Sequence, residues 1–197
     1  MKRLAPCLAV ALTLAAFAGC AGSPKADFYT LSAEAPREQA SGGAPVSVVV
    51  GPVIMPELVD RPQIVFRDGT NHVNIDEFAR WAEPLKSQIP RVVVADLTRL
   101  LNNARVSTSP AVGEPPAAWR VRLDVQSFDV SPGDAATVDV LWSVWPPGKA
   151  PPVTGHTIAR EPCTGAGRDA AVVAWSRALA TVSVAIAAAI RPSPAVD

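Results

Sequence analysis

The chain alternates most cleanly from Trp119. Trp119, Val121, Leu123 and Val125 fall on one side of Arg120, Arg122, Asp124 and Gln126. A period of two places the first set on a dry face and the second on a wet one, which predicts a half-buried strand over "AAWRVRLDVQSFDV". "SPGD" then reads as a turn into "AATVDVLWSVW", where Val138, Val140, Trp142 and Val144 repeat the alternation. After "PPGKAPP" the segment "VTGHTIAREP" returns the chain. These three segments predict an antiparallel meander that needs an apolar cover on one side only. Upstream, "VSVVVGPV" predicts a strand over Val46–Val53, and "LVDRPQIVFRD" a second extended segment whose Pro62 marks an edge or bend. "DGTN" is a turn signal, "HVNI" a short returning strand, and "RVSTSP" another short strand.

Two stretches carry a helical period instead. "DEFARWAEPLKSQIPRVVVADLTRLL" sets Leu85, Ile89, Val92, Val93, Leu97, Leu100 and Leu101 on one stripe. Pro84 suits the opening of its main helix, whereas Pro90 inside it predicts a kink or a later start. Asp76 and Glu77 read as capping groups at the helix entry. The closing segment, "GRDAAVVAWSRALATVSVAIAAAI", is apolar enough to imitate a membrane span. Its Arg177 and the stripe Val172, Trp175, Leu179, Val182, Ile186 and Ile190 predict a helix packed on a sheet, with Ser176, Arg177, Thr181 and Ser183 off that stripe.

The expected fold class is therefore α/β: a single compact two-layer domain, a mostly antiparallel sheet covered by two long helices, over residues 46–191. Residues 192–197 make a short tail. Periodicity assigns Trp119, Trp142 and Trp175 to the core and leaves Trp145, beside Pro146 and Pro147, at an exposed rim.

The N-terminus changes the picture. Lys2 and Arg3 precede a short apolar run ending "FAGC", an export signal over residues 1–19. That ending resembles the lipobox of bacterial lipoproteins, which implies cleavage before Cys20 and lipidation of its thiol. Ala21, where an aspartate retains some lipoproteins at the inner membrane, implies the outer membrane, periplasmic face. Of 197 residues, 178 remain after cleavage, and loss of Lys2 and Arg3 moves the formal charge from 0 to −2. A near-neutral domain has no long-range field for nucleic acid. With Cys20 lipidated, Cys163 has no partner for an internal disulfide and reads as a small residue near a strand end. Residues 20–45, small, polar and proline-containing, read as a flexible tether carrying the apolar patch Phe28, Tyr29 and Leu31.

Catalytic chemistry finds no footing. His72 and His156 stand apart from ligand-type neighbours, so no metal site is expected. No serine lies in a nucleophile elbow and no glycine-rich loop follows a strand, so neither catalysis, cofactor nor nucleotide is expected. A hydrolase assembled from distant segments would need convergent polar groups around a nucleophile, and the sequence supplies no such set.

One set of ordered blocks carries a resemblance. "FYTL" at Phe28–Leu31 is followed by "VVVGPVIMPELVDRPQIVFRDGTNHVNIDEFARWAEPL", "VVVADLTRLL", "AAWRVRLDVQSFDV" and "AAVVAWSRALATVSVAIAAAI". This pattern resembles the ABC-type transport auxiliary lipoproteins, the PqiC-like family, from about Phe28 to Ile190. Matching positions include Tyr29, Leu31, Asp60, Arg61, Pro62, Gln63, Glu77, Arg80, Trp81, Glu83, Pro84, Val125 and Phe128. Departures are Leu58, Val59, His72 and Val73, together with Pro90 in the first long helix and Trp175 where a histidine is often seen.

The resemblance implies a non-enzymatic accessory of an MCE-type intermembrane lipid transport system. Such a protein would be anchored to the outer membrane through Cys20, dock the periplasmic MCE protein and support envelope integrity. It implies an antiparallel sheet covered by two helices. The segments combining exposed polarity with apolar anchors make Phe28, Tyr29, Leu31, Asp60, Arg61, Gln63, Arg67, Arg80 and Trp81 the expected partner-binding residues. Sheet edges also favour self-association. The alternative is a module that itself holds an acyl chain in an apolar groove between sheet and helices.

Overall fold

The computed structural model describes residues 25–37, 46–102, 104–109, 118–165 and 167–190. In chain order the strands are β1 (Asp27–Tyr29), β2 (Ser47–Ile54), β3 (Gln63–Arg67) and β4 (Val73–Trp81), followed by helix α1 (Leu85–Leu100). Then come β5 (Arg105–Ser107), β6 (Trp119–Val130), β7 (Ala135–Trp145), β8 (Val153–Pro162) and helix α2 (Arg168–Ile190). The result is a two-layer α/β domain, its mixed, mostly antiparallel strand layer covered by the two helices.

The strands form two sheets. The larger has the order β5-β2-β6-β7-β8 and the smaller β1-β4-β3. The expected meander is its antiparallel half: β6 pairs β7 and β7 pairs β8 over long ladders. β2 instead runs parallel to both β5 and β6, because the small sheet and α1 intervene before the chain returns. The smaller sheet leans on the larger through an ion pair at 2.8 Å between Arg67 of β3 and Asp129 of β6.

β6 buries Val121, Leu123 and Val125 but then Phe128 and Val130. The phase changes because the ladder to β7 slips between Val125 and Ser127, and one unpaired residue exchanges the faces. Gly69, Gly133 and Gly148 occupy positive φ in the expected turns, where a side chain would be strained.

Several expectations change. The segment from Asp76 to Trp81 continues β4 instead of entering a helix. Asp76 is not a helix cap: its Oδ1 accepts the N–H groups of Phe78 and Ala79 at 2.9 and 3.1 Å, supporting an irregular stretch where the β3–β4 register shifts. Helix α1 starts only after Pro84, whose carbonyl accepts from Ser87 and Gln88, and it runs through Pro90 to Leu100. Burial of Leu85, Ile89, Val93 and Leu97 on one stripe offsets the hydrogen bond that Pro90 cannot make.

Ser176 and Ser183 are fully buried instead of lying off the stripe of α2. Their hydroxyls return bonds to the carbonyls of Val172 and Leu179, one turn back. α2 is long and apolar enough to cross a membrane by composition, but 61% of its apolar window is buried within the domain. Trp142 and Trp175 are buried as expected; Trp119 and Trp145 are half-buried.

The core between helices and sheet is filled by side chains. Phe128 and Trp175 stack at 4.9 Å with 11° between planes, and Trp81 meets Trp175 at 5.4 Å and Phe128 edge-on at 6.3 Å. Three sequence blocks far apart along the chain thus converge on one aromatic cluster.

Candidate docking surface

The described part of the segment expected to be a free tether, residues 25–37, is bound to the domain. β1 adds in parallel to β4, with Phe28 opposite Arg80 and Tyr29 opposite Trp81. Beyond it, the chain lies across both helices as a strap. Leu31 N–H donates to Gln88 Oε1 at 2.9 Å, Ser32 N–H to Ser176 Oγ at 3.1 Å, and Ala35 N–H to Asp96 Oδ1 at 2.9 Å. Arg99 donates to the carbonyls of Ala33 and Ala35. Leu31 and Ala35 of the strap are buried.

The buried polar side chains of the described core are Gln88, Asp96, Ser176 and Ser183. Three of them receive the strap, and the fourth donates to Asp96. Buried acceptors of this kind are stable only when satisfied, so helices and strap specify each other. Burial pushes the Asp96 carboxyl above its ordinary range, although the bonds from Ala35 and Ser183 pull the other way.

The charged stretch from Asp60 to Arg80 resolves into separate jobs. Arg67 joins the sheets. Glu77 receives Gln63 Nε2 at 3.2 Å and Arg80 Nη2 at 3.4 Å. Burial tends to raise the Asp76 carboxyl, but the Phe78 amide and the Arg168 guanidinium hold it below its ordinary value. Arg168, the first residue of α2, reaches Asp76 Oδ2 at 2.6 Å and Asp27 at 3.8 Å, so α2, β4 and β1 are clamped together. Burial, with the Asp169 and Asp27 carboxylates, pushes the Tyr29 phenol up.

What remains is a groove of about 410 Å³ lined by Asp60, Arg61, Pro62, Trp81, Ala82, Glu83 and Pro84. Local backbone bonds build it. Trp81 N–H donates to Pro62 C=O at 2.7 Å, Ala82 N–H to Tyr29 C=O at 2.9 Å, and Gln88 Nε2 to Glu83 C=O at 2.6 Å. Both acids are already matched, Asp60 by Lys86 at 2.6 Å and Glu83 by Arg91. Arg61 is not. Its Nε–H is shielded from solvent and finds no acceptor among the described residues. A buried unpaired donor costs about 1–3 kcal/mol, and a carboxylate or carbonyl in the groove would satisfy it only once the Arg61 side chain turns toward that partner.

The nine residues singled out from sequence are therefore not equivalent. Phe28 is 67% exposed, and Phe78, which sequence reading did not select, is 43% exposed, two residues before Arg80, the cross-strand neighbour of Phe28. Leu31 and Trp81 are buried and shape the surface from beneath. Tyr29 is half-buried against the core. Cys20 lies outside the described residues, as does the signal segment.

Chemistry beyond binding has little to work with. Among the described residues no three His, Cys, Asp or Glu side chains gather as a metal site. Cys163 is half-buried after β8, and burial pushes its thiol up, which disfavours the nucleophilic thiolate. His156 instead meets Asp139 at 2.6 Å across the outer face of the β7–β8 ladder.

Solved structures share the architecture. A crystal structure of an uncharacterized protein aligns with a TM-score of 0.70 at 18% identity, covering 83% of this chain and 97% of its own. A crystal structure of protein XCC0632 from Xanthomonas campestris, assigned to DUF330, aligns with a TM-score of 0.64 at 18% identity, covering 81% and 92%. At that identity they establish the fold alone. No curated protein sequence matches the chain. Residues 29–187 match the family described as ABC-type transport auxiliary lipoprotein component, and the chain belongs to that family of non-catalytic transport accessories.

Proposed function

We propose that the protein is the outer-membrane-anchored accessory of an MCE-type lipid transport system and docks the periplasmic MCE protein through the surface around Arg61. The observation that carries this reading is the groove itself. The family-like blocks at Asp60–Gln63 and Arg80–Pro84 converge there, their acids are neutralised internally, and Arg61 is left with an unsatisfied donor. Arginine in a partly desolvated pocket beside apolar groups is a typical anchor of protein interfaces. Gln63, Arg80 and the exposed Phe28 border the same small sheet and extend the surface. Tyr29, Leu31, Asp60, Arg67 and Trp81 hold it in shape.

Lipidation at Cys20 is part of the same proposal. Six residues separate Cys20 from Asp27, so the anchor would hold the small sheet within about 25 Å of the bilayer. The acyl-carrier alternative gains nothing from the interior, where Trp175, Phe128, Leu179 and Ile186 fill the space between helices and sheet.

The test is crosslinking in intact envelope, followed by affinity capture of the lipoprotein and mass spectrometry of what comes with it. The MCE protein should be recovered with the wild-type chain and lost with Arg61→Glu, while thermal unfolding of the variant stays cooperative. Recovery undiminished by Arg61→Glu would remove the groove from the interface. Recovery of lipid without protein would favour the acyl-carrier reading.

A further inference from the structure

We infer that the outer face of the larger sheet carries a second binding site, separate from the Arg61 groove, for an extended acidic segment of a partner protein. The site is a groove of about 610 Å³ over β2, β6 and the end of β7. Arg120 and Arg122 point into it from β6, both exposed, and neither guanidinium has an ion pair or hydrogen bond with any described residue. Most other exposed arginines of the ordered sheets and helices are engaged: Arg80 with Glu77, Arg91 with Glu83, Arg160 with Asp134.

The geometry selects the ligand. Arg120 and Arg122 are two residues apart on one strand, so their stems leave the sheet about 6.5–7 Å apart. An extended polypeptide presents alternate side chains at the same repeat, so carboxylates at positions i and i+2 of such a segment can each meet one guanidinium. Arginine favours this planar, two-point contact with carboxylate.

The walls are apolar. Trp145 stands directly opposite Arg120 across the β6–β7 ladder, and Pro146, Pro147 and Ile54 line the rim. The floor is kept low by Gly51. A Cβ there would come within 3.3 Å of the Val121 carbonyl oxygen, where the β2–β6 register shifts between Val50 and Val53. The nearest acid on the same face of β6 is Asp124, which accepts from Gln126 Nε2 at 2.8 Å. Two cations with an aromatic and proline wall suit an acidic strand with apolar residues beside its carboxylates. Two arginines on a domain of formal charge near zero make no stripe for nucleic acid.

The test uses the mature full chain in detergent micelles and fluorescence anisotropy of short labelled peptides. One peptide alternates glutamate and valine; an isomer of the same composition groups its glutamates together; a third replaces glutamate by lysine. The alternating peptide should bind best and the lysine peptide not at all. Arg120→Gln with Arg122→Gln should weaken binding about tenfold or more, and Arg120→Lys with Arg122→Lys by less, because charge survives without the planar fork. Trp145→Ala should also weaken it, whereas Arg61→Glu should leave it unchanged, which separates this site from the docking groove. Equal binding of the two isomers, or binding indifferent to the arginine variants, would overturn the inference. So would arginine-dependent binding to phosphatidylglycerol vesicles with none to the peptides, which would assign the site to an anionic membrane surface.

Discussion

Leu31 donates its backbone N–H to the side-chain oxygen of Gln88 at 2.9 Å across 57 positions of sequence, and Gln88 in turn donates to the Glu83 carbonyl at 2.6 Å. One buried amide thereby joins the strap, the loop before α1 and the helix itself. Replacement by leucine would bury the Leu31 N–H without an acceptor. Gln88→Leu should cost about 1–3 kcal/mol in urea unfolding. Hydrogen exchange at Leu31 and Ala35 should accelerate more than exchange in β6. Uniform loss of protection would mean that the strap is not a separate unit.

Asp96 gives a pH signature of defined sign. Its carboxyl is raised by burial, so the folded state holds the proton more tightly than the unfolded chain. Its favourable contribution is complete below the unfolded value near ~3.9 and is lost as pH rises through the folded value. Asp96→Asn keeps an acceptor for Ala35 N–H without a desolvated charge. The variant should therefore gain on the wild type as pH rises through that window and lose the advantage in acid. An offset independent of pH, measured by urea titrations across the range, would contradict the assignment.

Asp76 should show the opposite slope. Its folded value is lowered on balance, with the Phe78 amide and Arg168 outweighing burial, so its contribution is present above the unfolded value and disappears as pH falls through the folded one. Asp76→Asn should be less stable than wild type at neutral pH and converge on it in acid. The same titration series reads both carboxylates, and parallel behaviour of the two variants would be inconsistent with this account.

Gly155 lies opposite Trp142 in the β7–β8 ladder, and a Cβ there would fall 2.1 Å from the indole ring. Gly155→Ala must displace Trp142 and break its Nε1–H bond to Thr157 Oγ1, now 2.9 Å. Overpacking of this kind typically costs about 1–3 kcal/mol. A lower Tm with red-shifted tryptophan emission is expected; an unchanged spectrum would mean that the ring is not held over the glycine.

Much of this fold was legible along the chain, and the reason is local. Alternation in β6–β8 and the apolar stripes of α1 and α2 reflect one-sided burial, which leaves a period in sequence whatever the partner is. Glycines in the turns show because only the backbone conformation constrains them. The ordered blocks around Arg61 and Trp81 were equally visible, and so was the family they belong to.

Other features depend on contacts between distant residues and have no period. "DEFARW" carries charges and aromatics that suit a helix entry, yet it pairs with β1 and β3, and those ladders override local preference. Residues 27–35 read as tether because the stretch around their apolar patch is small, polar and proline-containing. They are held instead by backbone donors whose acceptors, Gln88, Asp96 and Ser176, lie on two helices far along the chain. The change of face in β6 required its pairing with β7. Sequence alone determined which residues seek burial and where the chain must turn. Only the tertiary structure decided which polar groups are consumed inside, and so which guanidinium groups, those of Arg61, Arg120 and Arg122 among them, are left lining a groove without a side-chain partner among the described residues, because satisfaction of a charge is a property of the pair and not of the residue.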